Sequence, residues 1–255
     1  MKKICAGVIA VALLCLSAGY YSRTFLEVVS VFSNDSKQSN FLEVLNDLKT
    51  ARNQEQMGAK KTCVVIDPGH GGNDPGGIGT SGVLEKDVNL SVALYLKDYL
   101  EHQGIEVVMT RETDQGLYSE TAANKKKEDL TKRFEIIETT EPDFVVCIHQ
   151  NIFTDPKYSG AQVFYYKESE TGARLADAIQ KQLIAGVDPE NTRVTKSNMN
   201  YYMLKESSAP IVIVECGFLS NVEEEQKLGT KEYQRDLAWN IYLGAMHFIK
   251  DGQQM

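Results

Sequence analysis

From Lys61 onward, apolar runs of about five residues alternate with longer stretches whose apolar positions recur at helical spacing. That alternation predicts an α/β domain in which a mostly parallel sheet is flanked by helices. A first strand at 63–66 is stopped by Asp67-Pro68-Gly69, and a Gly-rich loop runs on to Gly82. The next stretch, 85–103, carries Val88, Val92, Tyr95, Leu96, Tyr99 and Leu100 on one helical face and stops at Gly104. Further along, the pattern predicts strands at 105–109, 144–148, 161–166, 201–204 and 211–214, with helices at 126–139, 170–184 and 231–250. The run Ile211-Val212-Ile213-Val214 has no polar alternation, which marks it as a central strand.

The residues before Lys61 read differently. Residues 1–21 have the form of an export signal, with Lys2 and Lys3 ahead of an uncharged apolar run at 4–16 and small residues Ser17, Ala18 and Gly19 after it. Its length suits either a cleaved signal peptide or a membrane anchor. Both place the rest of the chain outside the cytoplasmic membrane. Residues 22–60 are polar, with one short amphipathic stretch at 41–48, and read as a tether; residues 61–250 form the remaining single domain.

Composition narrows the function classes. The 255 residues are 42% hydrophobic and 24% charged, an ordinary globular balance, and 27 basic against 35 acidic residues leave a net charge of -8. Such a balance gives no general attraction to nucleic acid, which is not expected as a partner. Five cysteines are too few for a disulfide framework; two lie in the export segment, and Cys63, Cys147 and Cys216 sit in apolar runs as small core residues.

Three of the most apolar strands end in ionisable side chains: Asp67 and His70 after the first, His149 after the third, Glu215 after Val214. In an open parallel sheet the carboxyl ends of neighbouring strands converge on one crevice, so these residues meet there. Singly, each has a bland role. A His after a strand is commonly a hydrogen-bonding residue, and Glu85 opens a helix whose dipole favours an acid. Glu215 is harder to explain away, because a carboxylate directly after a buried strand is costly unless paired or metal-bound. Together, two imidazoles and a carboxylate make a His2Glu shell suited to Zn2+, with a second carboxylate free to act as base. His70 and His149 lie 79 residues apart, so this is not a His-Glu-x-x-His helix.

At these residues the sequence resembles the zinc-dependent N-acetylmuramoyl-L-alanine amidases of the type 3 class. The matching segments are Ile66-Asp67-Pro68-Gly69-His70-Gly71-Gly72-Asn73-Asp74, Leu84-Glu85-Lys86-Asp87, Met109-Thr110-Arg111, Ile148-His149-x-Asn151 and Val214-Glu215-Cys216-Gly217-Phe218-Leu219-Ser220-Asn221. The resemblance implies a single mixed, mostly parallel six-stranded sheet flanked by helices. It implies that His70, Glu85 and His149 bind Zn2+, that Glu215 is the catalytic acid/base, and that the substrate is the amide between N-acetylmuramic acid and L-alanine in peptidoglycan. Asn151 is expected to bind substrate backbone, and Arg111 to pair with a substrate carboxylate or with Glu215. Asp67 either fixes its turn or supports a ligand histidine.

A narrower likeness to the sporulation, germination-specific branch rests on Ser159-Gly160-Ala161-Gln162, Phe164-Tyr165-Tyr166, Asn191-Thr192-Arg193, Tyr202-Met203-Leu204 and Leu228-Gly229. It implies removal of stem peptides for muramic-δ-lactam in the spore cortex, upstream of a muramic acid deacetylase and on the forespore side. A membrane-associated activator protein stays open as a partner. The alternatives are a vegetative wall amidase in turnover or cell separation, another zinc wall peptidase, and an inactive wall-binding scaffold. All four central residues are present, which disfavours the last.

Overall fold

The computed structural model describes residues 61–252. The export segment and the tether expected at 1–60 lie outside the described residues. In chain order the elements are β1 (Cys63–Pro68), α1 (Glu85–His102), β2 (Glu106–Met109), α2 (Lys125–Thr140), β3 (Phe144–Asn151), β4 (Gln162–Tyr166), α3 (Glu170–Gly186), β5 (Lys196–Asn198), α4 (Tyr202–Glu206), β6 (Ile211–Phe218), α5 (Val222–Leu228) and α6 (Lys231–Gly252).

The strands form one six-stranded sheet in the order β2-β1-β3-β6-β4-β5. All neighbouring pairs are parallel except β4 with β6. The sheet is therefore mixed and mostly parallel, and β6 is central.

Side chains alternate across it with period two. Val64, Ile66, Val146, Ile148, Val212 and Val214 face α1, α3 and α6, where Val92, Leu96, Ile179, Leu183, Leu237 and Ile241 complete the larger core. Val65, Val145, Cys147, Ile211 and Ile213 face the other way, beneath Ile137 of α2 and Met203 and Leu204 of α4. Carried two residues further, the second set reaches His149 on β3 and Glu215 on β6. Register pairs these two residues directly. Cys147 and Cys216 are buried and Cys63 is half-buried.

The expected strand at 201–204 is instead the short helix α4. A four-residue apolar run does not distinguish strand from helix, and here Met203 and Leu204, adjacent in sequence, are both buried under one sheet face. The edge strand beside β4 is β5, whose Lys-Ser-Asn sequence buries no face and so gives no hydrophobic signal. Strand β6 runs through Phe218, so Glu215 lies within it and not after it. Helix α5 was not expected; Asn221 caps it, accepting from the Glu223 and Glu224 amides.

Candidate active site

The carboxyl ends of β1, β3 and β6 converge as the topology requires. His70, Glu85 and His149 bring one ligand atom each to within 4.8 Å of one another. Glu85 Oε1 is the hub: it accepts from His149 Nδ1 at 2.9 Å and the Gln150 amide at 3.1 Å, with His70 Nε2 at 3.3 Å. Its second oxygen accepts the Gly77 amide at 2.7 Å. One turn along α1, Asn89 donates to Gly69 O and receives the Gln150 carboxamide, which braces the hub from beneath.

Local geometry explains the glycines around this cluster. A Cβ on Gly69 would fall 2.2 Å from the His149 ring, and one on Gly76 would fall 2.6 Å from the Glu85 carboxylate. His70 itself adopts a left-handed conformation, with φ 64°, a strained choice for a residue with a side chain. Its Nδ1 donates to Asp74 Oδ2 at 2.9 Å, which leaves Nε2 turned toward Glu85. Asp74 is thus an orienting partner that the residue pattern alone did not single out; the signal was its place four residues after His70, at the close of the Gly-rich turn.

Electrostatics follow from burial and pairing. Burial alone would raise the Glu85 carboxyl, but the hydrogen bonds and charges of His149 and His70 outweigh it and hold the group far below the usual carboxylate range. Burial disfavours a charged His70, yet Glu85 and Asp74 raise it above its ordinary value. Glu215 behaves in the opposite sense. Burial pushes it up to about 7, with His149 and His70 pulling it down and Glu85 pushing it further up. Its Oε2 is buried and has no hydrogen-bond partner among the described residues.

Two imidazoles and a carboxylate held ionised, with an orienting acid behind one of them, fit a divalent cation. The donor set and the glycine cradle support that fit independently of any sequence likeness.

Other expected residues fall differently. Asn151 is half-buried at the end of β3, in register with Phe218. Arg111 has no hydrogen bond to Glu215 among the described residues. It is 2% exposed and its guanidinium donates to the carbonyls of Pro68, Gly69, Lys86 and Thr113. Burial and the nearby Arg133 charge lower it to about 10. A strand-end position could not reveal this, because the carbonyls it serves lie at the end of β1, in the turn after it, in the first turn of α1 and just past β2. Asp67 neither fixes the turn alone nor hydrogen-bonds His70 or His149. It accepts from Thr110 at 2.6 Å and from Arg133 at 2.7 Å as a buried ion pair. Arg133 also donates to Pro68 O and His70 O.

Residues 64–247 match the family profile described as N-acetylmuramoyl-L-alanine amidase. Over 191 residues the chain is 38% identical to the germination-specific N-acetylmuramoyl-L-alanine amidase of Bacillus subtilis, an overlap covering 74% of this chain and 80% of that protein. It is 29% identical over 249 residues to the N-acetylmuramoyl-L-alanine amidase AmiA of Escherichia coli, with 79% and 82% covered. Among solved structures it is similar to the CwlD amidase of Clostridioides difficile, determined in complex with the GerS lipoprotein, at 38% identity and TM-score 0.73, covering 74% of this chain and 99% of that one. With this match over most of its length, and with that fold, the chain belongs to the N-acetylmuramoyl-L-alanine amidases, the hydrolases that act on peptidoglycan.

Proposed function

We propose that the amidase uses zinc, with His70, Glu85 and His149 as the ligands and Glu215 as the general acid/base. The observation that carries this is Glu215: a buried carboxylate with one oxygen unpartnered, poised near neutrality, in register with a ligand histidine. Zinc in such a shell would polarise the scissile carbonyl and acidify the attacking water. Glu215, poised to exchange a proton at neutral pH, takes the proton from that water and returns it to the departing L-alanine amine. Asp74 holds the His70 ring with Nε2 turned toward Glu85, the orientation in which it would serve as a ligand. Asn89 and Gln150 keep Glu85 from turning away, and Asn151 faces substrate backbone from the end of β3.

On the larger scale the reading is a catalytic domain at 61–250, carried across the membrane by the segment at 1–21 on the polar tether at 22–60. The likeness to a germination-specific amidase supports a role in stripping stem peptides for muramic-δ-lactam in the spore cortex, upstream of a deacetylase. The complex of the related CwlD amidase with a lipoprotein supports a membrane-associated partner for this chain too.

Mass spectrometry of digested peptidoglycan tests the reaction: intact peptides with a free L-alanine amine are expected, and L-alanine retained on the sugar overturns the reading. Elemental analysis should give one zinc per chain, lost in His149→Ala. Spores lacking the protein should lack muramic-δ-lactam; normal lactam content assigns the enzyme to vegetative wall instead.

A further inference from the structure

Two short segments that the catalytic chemistry leaves unused, at 159–162 and 191–193, come together beside the site. Asn191 folds across them: its Nδ2 donates to Ala161 O at 2.9 Å and its Oδ1 accepts the Arg193 amide at 3.0 Å. Gly160, at φ 91°, makes room for it, since a Cβ there would lie 2.6 Å from Asn191 Oδ1. The turn presents Arg193. Its Nε donates to Ser159 O at 2.6 Å and its Nη1 to the Gln162 carboxamide oxygen at 3.3 Å, both neutral acceptors. Its guanidinium carbon lies 4.6 Å from the Phe218 ring centre and 5.8 Å from that of Tyr158.

The result is a planar, half-buried cation fixed against an aromatic face, with the hydrogens of Nη2 uncommitted among the described residues. Its position is informative. Gln162 is the register partner of Glu215, and Phe218 is the register partner of Asn151, two residues past His149. The cation therefore flanks the carboxyl ends of the two strands that carry the base and a ligand. Exposed Phe153, stacked edge-on against Tyr158 at 4.9 Å, extends the same surface.

We propose that Arg193 is a substrate-binding residue that recognises a carboxylate on the stem peptide beyond the scissile L-alanine, in a subsite it forms with Gln162, Phe218 and Tyr158. One Nη1 hydrogen beyond that given to Gln162 and one Nη2 hydrogen form a fork that matches a carboxylate in two parallel hydrogen bonds, and preorganisation on an aromatic ring spares most of the ordering cost. The inference rests on the amidase reading and refines its substrate class to acidic stem peptides.

The test uses two N-acetylmuramoyl-L-alanyl peptides that differ only at the residue after alanine, which carries a free carboxylate or a carboxamide. The wild-type enzyme should show a KM lower by about tenfold or more for the carboxylate, the size expected of a charge-assisted bidentate contact. Arg193→Gln should lose that preference, and Arg193→Lys should keep part of it. Calorimetry with Glu215→Gln protein, which binds without turnover, should show the same ratio in Kd. Equal KM values for the two peptides in the wild-type enzyme overturn the subsite even if Arg193→Gln fails to fold, because that comparison needs no variant. Failure of the wild-type enzyme to cut either peptide at the lactyl-alanine bond removes the amidase reading and the subsite with it.

Discussion

Glu215 shows how a single residue's surroundings decide its chemistry. Between its ordinary 4.5 and the value near 7 imposed chiefly by burial, the folded protein holds a proton that the unfolded chain has released. The folded state then binds more protons than the unfolded one, so its stability falls as pH rises through that window. The contribution is fully present below about 4.5 and is lost above about 7; at roughly 1.4 kcal/mol per unit it amounts to about 3 kcal/mol. In chelator-treated protein, Glu215→Gln should match the wild type in urea unfolding near pH 4 and exceed it by up to that amount near pH 8.5. A gap that does not widen with pH would show that the carboxylate is solvated. On the proposed mechanism the same substitution should lower kcat by about 100-fold or more while zinc content stays unchanged, because Glu215 would move the proton of the attacking water and is not one of the three donors.

Elements position the site as much as its own residues do. The loop leading into Glu85 is clasped by Glu225 of α5, whose carboxylate accepts from the Thr80 hydroxyl at 2.5 Å, the Ser81 amide and hydroxyl at 2.8 Å each, and the Val83 amide at 3.3 Å. These bonds outweigh burial and hold Glu225 down at about 2. Thr80 and Ser81 are exposed and Val83 is half-buried, so water replaces part of what the carboxylate accepts, and its removal costs about 0.5–1.5 kcal/mol. Glu225→Ala should therefore lose stability in that range and bind zinc more weakly in a competition titration, although it touches no ligand. If zinc affinity is unchanged, the loop holds its shape without the clasp. The sequence showed the four central residues because each follows an apolar run or opens a helix, where a pattern break is visible even though His149 and Glu215 lie inside β3 and β6. It did not show Glu225's role, since an acidic first turn reads as dipole compensation, nor the purpose of Arg111, whose partners are backbone carbonyls that leave no trace in side-chain patterning. The edge strand β5 and helix α4 were illegible for a related reason: one buries no face, and the other is too short for its period to register.

At the scale of the whole domain, the site is a junction where separate parts of the chain must agree. The turn after β1 is held by Arg111 from the end of β2 and by Arg133 from α2, which together engage the carbonyls of Pro68, Gly69 and the left-handed His70. Breaking the Arg133–Asp67 pair from one side leaves a buried carboxylate with the Thr110 hydroxyl but no countercharge in contact, and Arg133→Met should cost about 3–5 kcal/mol in urea unfolding; a neutral result would mean that water reaches Asp67. A metal ion bound at the junction, as proposed, would add a second constraint of a different kind. His70 follows β1, Glu85 opens α1 and His149 lies on β3, so an ion bound to all three links segments that the unfolded chain leaves far apart. Binding to the folded state alone contributes about 2.7 kcal/mol when free metal is 100 times its Kd. For a domain of this size that corresponds to a Tm rise of roughly 5–10 °C. Calorimetric scans with zinc and with chelator should differ by this amount in the wild type. The difference should vanish in Glu85→Ala, because the hub that gathers both imidazoles is gone, and should persist in Glu215→Gln, because the base lies outside the donor set. A zinc-dependent shift surviving in Glu85→Ala would place the stabilising ion elsewhere in the molecule.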